Sequence, residues 1–129
     1  LVEQLIGDLW WRVNSELPSE LSRTSASILK NLREQGPQRV TTLAVREQVA
    51  QPTMSVIIKR LGARGLVRRT VDPQDRRATL VAITPLGIDT LGHRAQLRSR
   101  WFATRLAHLE AADRRAVAAA VEKLVETFA

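Results

Sequence analysis

The stretch Gln51–Gly87, QPTMSVIIKRLGARGLVRRTVDPQDRRATLVAITPLG, changes its hydrophobic period partway along. Met54, Ile57, Ile58 and Leu61 recur at helical spacing, which predicts a helix over 52–63 with Pro52 suited to its first turn. From Leu66 the helical period is gone. Leu66–Val71 and Thr79–Ile83 read as strands, and the turn-forming cluster Asp72-Pro73-Gln74-Asp75-Arg76-Arg77 lies between them, so the segment closes as a β-hairpin with its tip over 72–77. Thr84 then caps a new helix that carries Pro85 at its first position.

Upstream of this block, Val2, Leu5, Ile6, Leu9, Trp10, Val13 and Leu17 form an amphipathic helix that Pro18 stops. A second helix carries Leu21, Ile28, Leu29 and Leu32. Ser22 or Thr24 caps it, and Gly36-Pro37 ends it. Thr41 and Thr42 are the expected caps of a short third helix at about 43–49, and the break at Ala50-Gln51 separates it from the fourth. Downstream, a long helix runs over 85–109 with Leu91, Trp101, Phe102, Leu106 and Leu109. A last one starts at Asp113 and carries Val117, Val121, Leu124, Val125 and Phe128. The order is α-α-α-α-β-β-α-α, mainly helical with one small hairpin.

Composition removes several function classes. The 129 residues suit one domain rather than a catalytic and a regulatory pair. The absence of cysteine excludes disulfides, thiolate metal sites and thiol redox chemistry. No run is long and apolar enough for a membrane span and no signal peptide is read, so the expected compartment is the cytoplasm. His93 and His108 lack converging ligands, and neither a metal nor a cofactor is expected. The formal charge of +7 is unevenly placed. Residues 1–37 carry net −1, 38–84 carry +6 and 85–129 carry +2. Such a localised basic block is the footprint of a polyanion binder, because each phosphate contact releases condensed counterions.

Two short helices joined by a tight turn and followed by a hairpin are the parts of a winged helix-turn-helix. The face of the fourth helix away from its apolar stripe carries Thr53, Ser55, Val56, Lys59 and Arg60, with Gln51 in the turn before it and Pro52 at its start. Hydroxyls on such a face reach base edges or phosphates, Val56 suits a thymine methyl, and the cations suit phosphates. An ordinary solvated helix face is the alternative for that helix alone. On the hairpin, Arg68, Arg69, Arg76 and Arg77 are balanced only by Asp72 and Asp75. An arginine at such a tip suits a narrow minor groove, and a neighbouring carboxylate can orient it. The alternatives are a local surface ion pair, a nucleic-acid enzyme using Asp72 and Asp75 as magnesium ligands, a winged domain that only contacts proteins, and an architectural protein that binds DNA without a preferred site.

Gly65-Leu66-Val67-Arg68-Arg69, Asp72-Pro73-Gln74-Asp75-Arg76-Arg77 and Leu80-Val81-Ala82-Ile83-Thr84-Pro85-Leu86-Gly87 resemble the signature of the MarR family: a GLV-R entry, a D-x-R wing tip and a T-x-x-G exit into a long helix. The resemblance implies a single domain over 1–129. Its helices at 1–20 and 86–129 would mediate dimerisation, and 21–85 would be the winged DNA-binding lobe. It further implies a homodimer on a roughly palindromic double-stranded DNA operator, associated with the nucleoid and repressing transcription, with no catalysis. The family's D-x-R falls on Asp75 and Arg77, making Arg77 the minor-groove residue and Asp75 its positioner. Its recognition-helix positions fall on 51–60. Small aromatic or amphipathic effectors are implied too, with Trp11 and Trp101 as candidate pocket residues, while Trp10 fits the dimer core. Two positions depart from the pattern. Glu47 replaces an apolar residue at the end of the third helix and is expected to pair with a nearby arginine, and Gln48 stands where glycine is common.

Overall fold

The computed structural model describes residues 1–17 and 20–129. Pro18, the expected stop of the first helix, lies outside them. Six helices and one hairpin follow the expected order: α1 (Val2–Glu16), α2 (Arg23–Gln35), α3 (Val40–Glu47), α4 (Gln51–Ala63), β1 (Val67–Asp72), β2 (Asp75–Ile83), α5 (Pro85–Leu106) and α6 (Ala111–Glu126). Two compact units result, one from Leu1–Leu17 with Gln96–Ala129, the other from Pro18–Ala95, so the division falls inside α5 rather than at Pro85.

The second unit has a closed apolar core. Ile28, Leu29 and Leu32 of α2, Leu43 and Ala44 of α3, Met54, Ile58 and Leu61 of α4, and Leu66, Val67, Val81 and Leu91 are all buried together. Ile57, expected on the same stripe, is only partly buried against this core. The Ser22 hydroxyl caps α2 by accepting the Ser25 N–H at 3.1 Å, and Gly36 ends it at φ 80°, a conformation glycine adopts without strain. Thr84 caps α5, its Oγ1 accepting the Gly87 N–H at 3.1 Å.

Four boundaries differ from the sequence reading. Helix α3 starts at Val40, with Arg39 as its N-cap, so Thr41 and Thr42 are helical rather than capping. The cause is remote: the Gln38 backbone pairs with Val81 on β2, N–H to O at 3.0 and 2.7 Å, and holds the chain extended until Arg39. The hairpin is longer than expected, since β2 begins at Asp75 and only Pro73 and Gln74 form the loop. Neither has a positive φ, so the turn lacks the mirror-image form that matches strand twist; the register shifts just below it, where Val71 faces Thr79 but Asp72 faces Asp75, so residues 76–78 of β2 bulge without a partner on β1. Helix α5 ends at Leu106 because the next residues tighten into i−3 hydrogen bonds, His108 to Arg105 and Leu109 to Leu106. Helix α6 begins at Ala111, and Asp113 lies in its first turn, where a carboxylate complements the helix dipole.

The first unit is of another kind. It buries Val13, but every residue from 111 to 129 is exposed, including Val117, Val121, Leu124, Val125 and Phe128 (84% exposed). On α1, Leu5, Ile6, Leu9 and Trp10 are exposed as well. Amphipathic helices gain most of their stability by burying an apolar face, and these faces are bare in a single chain.

Candidate nucleic-acid interface

Helices α3 and α4 meet through a tight connection. Gln48 closes α3 in the left-handed region at φ 56°, and the Val49 N–H returns to the Ala44 carbonyl at 3.1 Å. The position where glycine is common thus needs that conformation, and here a glutamine adopts it. Glu47 does not pair with an arginine among the described residues. Its Oε1 accepts the Ser27 hydroxyl of α2 at 2.7 Å, which ties the end of α3 to α2 instead.

With Met54, Ile58 and Leu61 in the core, α4 turns its other side to solvent. Gln51, Pro52, Thr53, Val56 (49% exposed), Lys59 and Arg60 are exposed, while Ser55 is half-buried at the edge of that face. Helix α4 starts at Ala50 with no side-chain cap, so its first-turn N–H groups keep their capacity for an anion. Lys59 also lines, with Ile58, Gly62, Val67, Arg68 and Arg69, an open groove of about 480 Å³ between α4 and β1.

The four wing arginines are all exposed, but they do not form one patch. Arg68 and Arg69 are consecutive in β1, paired with Ala82 and Val81, so they point to opposite faces of the ribbon, whereas Arg76 and Arg77 lie in the stretch of β2 between Asp75 and Thr79 that has no partner on β1. Asp75 Oδ1 accepts the Arg77 backbone N–H at 3.1 Å and lies 3.8 Å from Arg77 Nε. The Arg77 side chain is otherwise 96% exposed. The spacing of the D-x-R motif is thus a local turn in which the carboxylate meets both the backbone and the guanidinium two residues on.

Asp72 is a residue whose part the sequence pattern does not reveal. The magnesium alternative needs an open carboxylate there, yet it is 7% exposed with both oxygens engaged. Oδ1 accepts the Gln74 N–H at 2.9 Å, and Oδ2 accepts Arg39 Nε at 3.1 Å and Nη2 at 2.8 Å. The Gln74 N–H first, then the Arg39 guanidinium, hold its carboxyl below the ordinary aspartate value. No cluster of three metal-ligating side chains occurs among the described residues. Arg39 was not singled out either. One signal existed: a cation directly before a helix N-terminus opposes the helix dipole, which asks for a remote acid.

The two tryptophans meet different fates. Trp11 stands 69% exposed on α1. Trp101 is half-buried, donates its Nε1–H to Glu16 Oε2 at 2.8 Å, meets Phe102 edge-on at 5.2 Å and lies under the Arg105 guanidinium at 5.0 Å. Arg105 Nη2 also reaches Glu16 Oε2 at 2.7 Å. Among the described residues Trp11 and Trp101 make no ring contact. No helix is long and apolar enough to cross a membrane among those residues.

Residues 21–79 match the model of the MarR family. The chain is 35% identical over 101 residues to the HTH-type transcriptional regulator Mb0904 of Mycobacterium bovis, covering 78% of this chain and 69% of that one. Its fold is that of transcriptional regulator Tm0710 of Thermotoga maritima, with a TM-score of 0.86 and 24% identity over 98% of this chain and 92% of the other. It is also similar to BpsR of Bordetella bronchiseptica, with a TM-score of 0.62 and 26% identity over 97% and 93% of the two chains; DNA binding by BpsR is regulated by 6-hydroxynicotinic acid. These proteins regulate transcription and are not enzymes, and the chain described here belongs to the MarR family of helix-turn-helix transcriptional regulators.

Proposed function

We propose that this regulator is a sequence-specific repressor that binds a roughly palindromic double-stranded operator as a homodimer. The observation that carries the reading is the pairing of two free surfaces on one compact lobe: the polar face of α4 and the almost fully exposed Arg77 side chain beside Asp75. In a two-fold dimer the α4 helices enter successive major grooves about 34 Å apart. Thr53 and Val56 then face base edges, with Gln51, Pro52 and Ser55 along the entry, and Lys59 and Arg60 facing phosphates. Arg77 enters the adjoining minor groove, and Arg68, Arg69 and Arg76 neutralise the flanking backbone. An operator-bound dimer excludes competing proteins from the same DNA, which makes repression the outcome, and it places the protein at the nucleoid.

The bare apolar faces of α1 and α6 support the second copy as their occupant. A small aromatic effector is supported by the likeness to BpsR and by Trp101, which offers a ring with a cation stacked on it. Trp11 on α1 would complete such a site. The effector would act by favouring the lobe spacing that misfits the operator.

Competition tests the reading. Labelled genomic fragments retained by the protein should resist a large excess of random duplex, with a preference of about 10³ or more at physiological salt. A preference below tenfold for every fragment would point to an architectural binder. On a selected fragment, Arg77→Ala should weaken binding by about 1–3 kcal/mol and shallow the salt dependence by about one ion. Titrations at several salt concentrations measure both, and unchanged affinity would remove the wing from the mechanism.

A further inference from the structure

We propose that Arg39 is a positioning residue that braces the wing against the helix-turn-helix and so sets where Arg77 is presented to DNA; this rests on the DNA-binding reading above. Beyond the core packing of Val67 and Val81 at its base, the ribbon is tied to the start of α3 at two places by consecutive residues. Gln38 pairs through its backbone with Val81, near the base. Arg39, the N-cap of α3, reaches Asp72 at the mouth of the turn. Val81 stands opposite Arg69, three residues before Asp72 along β1, so the two attachments are separated along the ribbon. A single backbone bridge fixes a point but leaves a two-stranded ribbon free to bend and twist beyond it. The second attachment removes that freedom.

The chemistry at Asp72 suits a brace. Both Arg39 donors converge on Oδ2, while Oδ1 holds the Gln74 N–H that closes the turn, so one carboxylate joins the turn to α3. Asp72 is almost fully buried while the Arg39 side chain is 45% exposed, so the pair is held by its two hydrogen bonds at the edge of solvent. The register shifts between Val71 and Asp72: Asp72 faces Asp75, while residues 76–78 stand out from β2 without a partner on β1, so the carboxylate sits at the foot of the segment that carries Arg77. The loop that follows is only Pro73-Gln74, and Asp75 starts the strand that carries Arg77.

A double-mutant cycle with Arg77→Ala tests the brace on a labelled duplex selected by the wild-type chain. If Arg39 acts through the wing, Arg39→Ala lowers affinity about fivefold to twentyfold alone, but less than about twofold in the Arg77→Ala background. Equal losses in both backgrounds would make Arg39 an independent phosphate contact and overturn the proposal, as would no loss at all. Asp72→Asn, which keeps the acceptor for Gln74 but not the charge facing Arg39, should show the same non-additivity; simple addition with Arg77→Ala would count against the brace. Amide exchange reads the same device without DNA. In Arg39→Ala the amides of 74–79 should exchange faster while those of Gln38 and Val81 stay protected, and unchanged exchange at 74–79 would refute the brace. A wild-type chain that retains no duplex would undo the DNA-binding reading and with it the proposed role of Arg39, while the exchange result would show separately whether the attachment itself exists.

Discussion

Gly87→Ala is expected to destabilise the fold by about 3 kcal/mol or more, the upper range for forcing a methyl group into a filled site. A Cβ built on Gly87 overlaps the Leu66 backbone carbonyl oxygen and lies 2.7 Å from Ile83 Cγ1 and 3.3 Å from its Cδ1. The Ile83 side chain can turn aside, but the carbonyl cannot. It accepts the Thr84 N–H at 3.0 Å, and Thr84 in turn caps α5 and donates its hydroxyl to the Gly65 carbonyl at 2.6 Å. Moving Leu66 therefore disturbs the start of β1, the Gly65 turn and the first turn of α5 together. Urea unfolding at fixed protein concentration measures the loss. Gly92→Ala is the contrast: it lies in the same helix with nothing within 4 Å of the added carbon. That change should stabilise by about 0.5–1 kcal/mol, because alanine gives up less backbone entropy than glycine. Equal effects at both positions would mean that the close approach at Gly87 is misread.

Val121→Asp should separate the protomers and lower affinity for a selected operator by about 10²–10⁴-fold. Val121 is half exposed on α6, between Val117 and Leu124 along the same apolar side. A carboxylate placed there is harmless to an isolated helix but must be buried twice in a symmetric interface, where an unpaired charge is strongly opposed. Two linked lobes bind two half-sites with the advantage of high effective concentration, and a lone lobe loses it. Sedimentation should report the mass of one chain, and titration of the same duplex should report the affinity loss. A variant that keeps both the dimer mass and the affinity would move the interface away from α6.

The local features were legible because they are carried by local rules. The Met54/Ile58/Leu61 stripe, the Ser22 cap, the Gly36 stop and the Thr84 cap each depend on residues within a turn or two. What escaped depends on partners far along the chain. The start of α3 is set by Val81, Glu47 turns to Ser27, and Asp72 is claimed by Arg39, 33 residues away. The wing is legible as far as its regular ladder runs, since Val71 faces Thr79 at the expected strand ends. The added pair Asp72 and Asp75 closes beyond residues 76–78, which have no partner on β1, and no apolar alternation over 72–77 signals it. On α4 the side away from the apolar stripe is exposed as its period implies, except that Ser55 lies half-buried at the edge.

Ladder pairing from Ile83 to Thr79 makes the base of the hairpin a lever, with Arg77 two residues beyond its paired end. From Ile83 to Thr79 the strand spans four steps, about 13 Å at the usual rise. A tilt of roughly 9° at the base would carry the end of that arm, and the arginine beyond it, about 2 Å sideways, enough to take a donor out of hydrogen-bonding range of its acceptor. Gain of this kind means that, in the proposed dimer, a bound effector would need to unfold or rebuild nothing. A few degrees at the base of each wing would be enough to loosen the grip on an operator.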